Sequence, residues 1–236
     1  MGAQLVKDGV IDKDKFETLY QQRGSFTQEY KDLLLGNNKG QLKITRSNSG
    51  YLLNLFWALG LANKNPILDE MTKSVNGRTQ DLAATGGWTI AKGNPMKYYN
   101  HYKLLNLTTK QQALVDKVSN GIYRPCCGNS AHFPGCNHGM AMLGFLELMA
   151  SQGANEQAMW DAALTVNSYW FPNTYLTIAT YMNNNGIDWK KINPQGILGR
   201  DYSSAQGYAR IASQTIHPQS GRNSGSGCGV DAGVTP

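Results

Sequence analysis

The segment NHGMAMLGFLELMASQ, residues 137–152, has the clearest helical pattern in the chain. Its apolar side chains recur at helical spacing, which places them on one face of an α-helix. That face consists of Met140, Leu143, Leu146 and Met149. Gly153 follows, and glycine commonly ends a helix because it adopts a left-handed conformation at little cost. The segment therefore predicts a helix whose apolar face packs against a core.

Patterns of the same kind occur on both sides of this segment. Several of them are preceded by aspartate, serine, threonine or asparagine, whose side-chain oxygens cap helix N-termini. Further helices are predicted over residues 12–20, 27–35, 49–59, 96–105, 108–120, 155–166, 172–185 and 203–213. No segment shows the alternation of apolar and polar residues that is typical of a β-strand. The sequence predicts an all-α fold of about eight helices.

The length of the chain, 236 residues, is near the upper limit for one hydrophobic core. We therefore predict one compact helical domain over residues 1–220. Residues 221–236 are rich in glycine and serine, a composition typical of flexible tails. Cys228 lies in this predicted tail, and a tethered thiol has a high effective concentration near any site that its tail can reach.

The charge pattern argues against nucleic acid as a partner. The net charge is +6, but the lysines and arginines are scattered and no five basic residues occur in a row. The longest apolar stretch, residues 51–62, is interrupted by Asn54 and Gly60 and is shorter than the ~18 residues of a membrane helix. This stretch predicts a buried core helix, and the chain is expected to contain no integral membrane segment.

Two further features of the sequence bear on compartment and reaction class. Residues 1–10 lack the basic and then apolar pattern of a signal peptide. The charged fraction of 16% is low, which favours an exported domain over a cytoplasmic one. The sequence contains no phosphate-binding glycine loop, dinucleotide fingerprint or serine-hydrolase elbow. Nucleotide-dependent and common hydrolase reactions are therefore disfavoured.

The chemistry of the chain is concentrated in YRPCCGNSAHFPGCNHGM, residues 123–140. Thiolates and imidazoles are the ligands that soft metal ions prefer, and glycine and proline let the loop fold back on itself. The predicted ligands are Cys126, Cys127, Cys136 and His138, with His132 as a spare donor. The vicinal cysteines suit a linear or trigonal ion such as copper(I) or mercury(II) at least as well as zinc. The preferred function is the binding or trafficking of such a metal ion.

A second interpretation is a thiol enzyme with a cysteine nucleophile, acting on a thiol-containing partner. Cys136 is predicted to precede a helix that Asn137 caps, and a helix N-terminus stabilises a thiolate. In this interpretation His138 activates Cys136, while Cys126 and Cys127 act as resolving thiols. Arg124 could activate Cys126 in the same way, and Cys228 could act as a mobile shuttle.

A third interpretation is an interaction module with a structural zinc or a loop-closing disulfide between Cys136 and one vicinal cysteine. Met142 is a possible accessory ligand, and a His/Met pair could hold a non-covalent haem. Packing in the core is the better interpretation of Met140, which belongs to the helix's apolar face. Glu147 is expected to lie on a solvated face rather than to act as a buried base.

Overall fold

The computed structural model describes residues 1–24, 26–36 and 41–215 of the chain. The predicted all-α class is confirmed: 62% of the described residues are helical, and these residues form no strand. The α-helices are α1 (Gly2–Lys7), α2 (Lys13–Gln22), α3 (Gln28–Leu35), α4 (Ser49–Ala62), α5 (Pro66–Ser74), α6 (Thr109–Gly121), α7 (Asn137–Ser151), α8 (Glu156–Trp170), α9 (Pro172–Asn184), α10 (Pro194–Leu198), α11 (Arg200–Ser203) and α12 (Ala205–Gln214). Short 3-10 helices lie at Thr79–Asp81, Pro95–Lys97 and Trp189–Lys191. The tail predicted over residues 221–236 lies outside the described residues.

The prediction of a helix over residues 96–105 was wrong. Only Pro95–Lys97 is helical there, as a single 3-10 turn. The backbone then turns at Asn100, whose φ of 53° is left-handed. The backbone N–H groups of Asn100 and Tyr102 donate to the carbonyls of Leu61 and Ala62 at 2.8 and 2.9 Å. These residues therefore satisfy the C-terminal carbonyls of α4 instead of bonding to one another as a helix would.

The described residues contain twelve α-helices, more than the eight or so predicted, because several short ones were not predicted. The helices α1, α10 and α11 have six, five and four residues, too few for a periodic pattern. The longer α5 has a recognisable start: the Asn65 side chain accepts from Ile67 N, and Pro66 occupies the first turn. Proline is favoured there because its missing N–H has no helical partner to lose.

The core is organised around α4, which is buried along almost its whole length. This confirms the buried helix predicted over residues 51–62. Helix α4 packs along α7, and the two backbones meet at Gly60 and Gly144. A Cβ atom built on Gly144 would lie 2.6 Å from the backbone nitrogen of Gly60. Only glycine at this crossing lets the helices approach so closely.

A second, smaller apolar cluster lies at the C-terminal side of the described chain. It is formed by buried residues of α9, α10 and α12: Tyr175, Ile178, Met182, Ile197 and Ile211. Among the described residues, none of the helices combines the length and the apolar character needed to cross a bilayer. The Cys-rich loop lies between α6 and α7, so its two ends are held by helices of the main core.

Candidate metal centre

The structure brings three of the predicted ligands together. The Sγ atoms of Cys126, Cys127 and Cys136 all lie within 4.8 Å of one another. The Sγ atom of Cys126 is 3.7 Å from that of Cys136 and 4.0 Å from that of Cys127. All three are free thiols, and no disulfide forms among the described residues. Three cysteines so placed could hold a metal ion.

Backbone hydrogen bonds fold the loop so that the three thiols lie close together. Ala131 N donates to Ile122 O at 2.8 Å, and residues Tyr123 and Ser130 form an antiparallel bridge. The loop therefore doubles back just after Cys126 and Cys127. The carbonyl of Cys127 accepts from Ala205 N at 3.1 Å, which ties the vicinal pair to the start of α12. The vicinal cysteines are partly exposed, whereas Cys136 is buried.

Cys136 itself caps α7. Its backbone is extended, with φ −118° and ψ 162°, and its Sγ accepts from Gly139 N at 3.4 Å. The sequence-based expectation that Asn137 is the cap was therefore wrong, because Asn137 is already the first helical residue. The sulfur of Cys136, rather than a neighbouring side chain, therefore lies at the positive end of the helix dipole.

Arg124 is fully buried beside the sulfurs. Its Nη2 atom lies 3.0 Å from the Sγ of Cys127 and 3.6 Å from the Sγ of Cys136. The sequence suggested that Arg124 activates Cys126, whereas the guanidinium contacts Cys127 and Cys136. Burial lowers the pKa of Arg124, but electrostatic interaction with the sulfurs of the cluster, chiefly Cys136, raises this pKa above its ordinary value. Arg124 is therefore a permanent buried cation.

The thiols of the cluster differ in acidity. Hydrogen bonds from Cys126 and Cys127, and then the charge of Arg124, hold the pKa of Cys136 well below its ordinary value despite burial. Donation to the sulfurs of Cys127 and Cys136, together with burial, raises the pKa of Cys126. Cys136 is therefore the sulfur that carries the negative charge in the cluster without a metal.

His138 does not belong to the group of sulfurs. Its Nδ1 lies 2.9 Å from Oδ1 of Asn137, and its ring packs against Phe171 with centroids 4.4 Å apart. Burial lowers the pKa of His138 to about 4, so the ring is neutral at pH 7 and offers Cys136 no positive charge.

The other accessory residues lie elsewhere. His132 bridges two helices, with Nδ1 3.1 Å from Ser119 Oγ and Nε2 3.1 Å from Glu70 Oε2. Met140 and Met142 are both fully buried in the main core. Cys228 lies outside the described residues. The structure therefore assembles the three cysteines with Arg124, and the predicted imidazole donors point to other partners.

Glu147 was expected on a solvated face, and this was wrong: it is fully buried. Its Oε1 accepts from Asn65 Nδ2 at 2.5 Å, while its Oε2 has no partner in the described part of the chain. Burial raises the pKa of Glu147 to about 8, although the amides of Asn63 and Asn65 lower it. The apolar neighbours Leu146 and Leu148 were a signal, since a helix that is apolar on most sides is buried.

No known protein family, curated protein or solved structure matches this chain. The fold and the site define it as an all-helical protein with a cluster of three cysteines that could bind a metal ion. Any more specific function has to be argued from the chemistry of that cluster.

Proposed function

We propose that this protein binds a soft metal ion through the thiolates of Cys126, Cys127 and Cys136, either to hold it or to pass it on. The observation that carries the proposal is the separation of the sulfurs, 3.7 and 4.0 Å for the two measured pairs. Metal–thiolate bonds of about 2.3 Å place sulfurs about 3.8 Å apart around a tetrahedral ion and about 4.0 Å apart around a trigonal one. Two of the three sulfur pairs are therefore at the spacing that one ion requires, and all three sulfurs lie within 4.8 Å of one another.

The partial exposure of the vicinal cysteines supports a site that can exchange its metal ion with solvent. Cys126 and Cys127 are partly exposed, so an ion can reach the vicinal pair from solvent before Cys136 completes the set. Three thiolates leave either a trigonal site or an open fourth position. Thiolate ligands suit zinc, copper(I) and mercury(II).

The test is metal content and affinity in protein carrying Cys228→Ser, so that only the cluster contributes thiols. Protein purified without added metal is analysed by elemental mass spectrometry, then stripped, reduced and titrated with cadmium(II) against a competing chelator. Replacing Cys136 with serine should weaken binding on the order of 100-fold, because one of three thiolate ligands is lost. Cys126→Ser and Cys127→Ser should have effects of similar size.

Ser130→Ala is the matched control, since it lies in the same loop and is partly exposed. Its affinity should equal that of the parent. The far-ultraviolet circular dichroism of the stripped parent should stay helical, because α4 and α7 pack without the loop's sulfurs. A parent that binds no thiophilic ion, or serine variants that bind as tightly as the parent, would refute metal binding. Loss of helicity on stripping would instead indicate a structural metal.

A second candidate function is thiol–disulfide exchange, favoured by the position of Cys136 at the start of α7 with Cys126 Sγ 3.7 Å away. In this reaction the Cys136 thiolate attacks one sulfur of a partner's disulfide and releases the other as a thiolate. The Cys126 thiol then loses its proton and attacks Cys136, which releases the second thiol of the partner. The products are a Cys126–Cys136 disulfide and a partner reduced by two electrons.

Alkylation kinetics test this candidate. In reduced, metal-free protein, we expect Cys136 to react with iodoacetamide at a midpoint pH well below that of an ordinary thiol, because its pKa is lowered by hydrogen bonds from Cys126 and Cys127 and by Arg124. The rates are measured at each cysteine by peptide mass spectrometry over a pH series. Equal reactivity of all three cysteines at every pH would exclude an activated nucleophile.

A further inference from the structure

Arg124 is unusual because its charge has no carboxylate partner among the described residues. Its side chain is fully buried, and none of the salt bridges among the described residues includes it. Its Nη2 contacts two sulfurs, while its Nε and Nη1 have no hydrogen-bond partner in the described part of the chain. A buried charge without a counter-charge strongly destabilises a fold. The negative charge that balances Arg124 must therefore come from the cysteine cluster.

The guanidinium is also held in place. Gly139 packs against it: a Cβ atom there would lie 2.9 Å from Nη2 and 3.0 Å from Cζ of Arg124. The first turn of α7 therefore lies directly against the guanidinium and adds its own partial positive charge. A site so built is most stable when the sulfurs and their ion together carry about one negative charge.

We infer that Arg124 selects the charge of the bound ion, and that the ion is a divalent thiophilic cation of the zinc, cadmium and mercury class. This inference rests on the proposed metal-binding function. Three thiolates around a divalent ion carry one net negative charge, which Arg124 neutralises. Around a monovalent ion such as copper(I) they leave one negative charge uncompensated. Around trivalent arsenic they form a neutral complex and leave Arg124 without a counter-charge.

The experiment compares a divalent cation with a trivalent metalloid in protein carrying Cys228→Ser. Cadmium(II) and arsenite are titrated into the parent and into Arg124→Gln and Arg124→Lys. Loss of the positive charge in Arg124→Gln should weaken cadmium binding by about 10- to 100-fold. Arsenite binding should not weaken, because its tri-thiolate complex is neutral. Arg124→Lys keeps the charge and should recover most of the cadmium affinity.

The contrast between the two probes separates charge selection from a structural role. Unchanged arsenite binding by Arg124→Gln would show that the three thiols are still assembled. If Arg124→Gln does not fold, Gly139→Ala displaces the guanidinium without removing it, and the same loss of cadmium affinity is expected. The new Cβ atom would also lie 3.1 Å from Pro134 Cα, so retained arsenite binding is needed to show that the loop still assembles the three thiols.

Equal weakening of both probes, or no weakening of cadmium binding, would overturn the inference. So would copper as the stoichiometric metal in the protein purified without added metal, although that result would support the proposed function. A parent that binds neither probe would refute the proposed function itself.

Discussion

Replacing Glu147 with glutamine should stabilise the protein increasingly as the pH rises, by an amount on the order of 4 kcal/mol at pH 8. The carboxyl is fully buried, and burial raises its pKa from 4.5 to about 8 although the Asn63 and Asn65 amides lower it. Glutamine mimics the protonated form: it is uncharged, and its oxygen can accept from Asn65 as the carboxyl oxygen does.

The pH window follows from the two pKa values. Below pH 4.5 the carboxyl is protonated in both states, so the folded protein keeps its full stability there. Between pH 4.5 and about 8 the unfolded chain releases this proton while the folded chain retains it. The parent therefore loses about 1.4 kcal/mol per pH unit relative to Glu147→Gln across this range.

Urea unfolding of the parent and of Glu147→Gln at several pH values measures this difference. Glu156→Gln is a contrasting variant, because hydrogen bonds from Lys117 and Trp160 lower the pKa of that exposed carboxyl. It should not stabilise the protein at neutral pH. Stability curves for the parent and Glu147→Gln that stay parallel from pH 4.5 to pH 8 would contradict the buried, protonated state of Glu147.

Replacing Gly144 with alanine should destabilise the fold by about 3 kcal/mol or more. The new Cβ would lie 2.6 Å from Gly60 N and 3.0 Å from Gly60 Cα, and it would also collide with the carbonyl oxygen of Phe56. All of these atoms belong to the α4 backbone, so no side-chain rotation relieves the overlap. The two central helices would have to separate, with loss of packing along their whole contact.

Gly196→Ala is the matched control for this prediction. Gly196 is also a helical glycine, in α10, but the nearest atom to a Cβ there is 3.9 Å away. Alanine should be neutral or stabilising by up to about 1 kcal/mol, because it favours a helix. Chemical denaturation of both variants gives the comparison. Equal stability of Gly144→Ala and the parent would mean that α4 and α7 are not in close contact at this crossing.

The cysteine cluster could be predicted from the sequence because its members are close along the chain. Cys126, Cys127 and Cys136 lie within eleven residues, in a loop with glycine and proline that can fold back. The same reasoning could not show whether the imidazole of His138 lies beside the three sulfurs. A side chain at the start of a helix can face either the loop or the core, and packing against Phe171, at the junction of α8 and α9, decides its direction.

Arg124 and Glu147 show the same limit for buried charge. Nothing near Arg124 in the sequence indicates that it is fully buried, since long cationic side chains usually reach solvent. Its burial depends on α7, whose Gly139 leaves room for the guanidinium. The apolar neighbours of Glu147 indicated a buried helix, but the amide that its carboxyl group accepts from belongs to Asn65, far away in the sequence.

The sequence by itself determined the all-helical class, the long central helix at residues 137–152 and the thiol chemistry of the loop. These properties depend on periodicity, capping and composition, which act within a few residues. Only the tertiary structure decided which donors meet, that Cys136 caps α7, and that Arg124 is enclosed with the sulfurs. Burial and charge pairing depend on contacts between distant segments, and a local pattern contains no information about which segments come into contact.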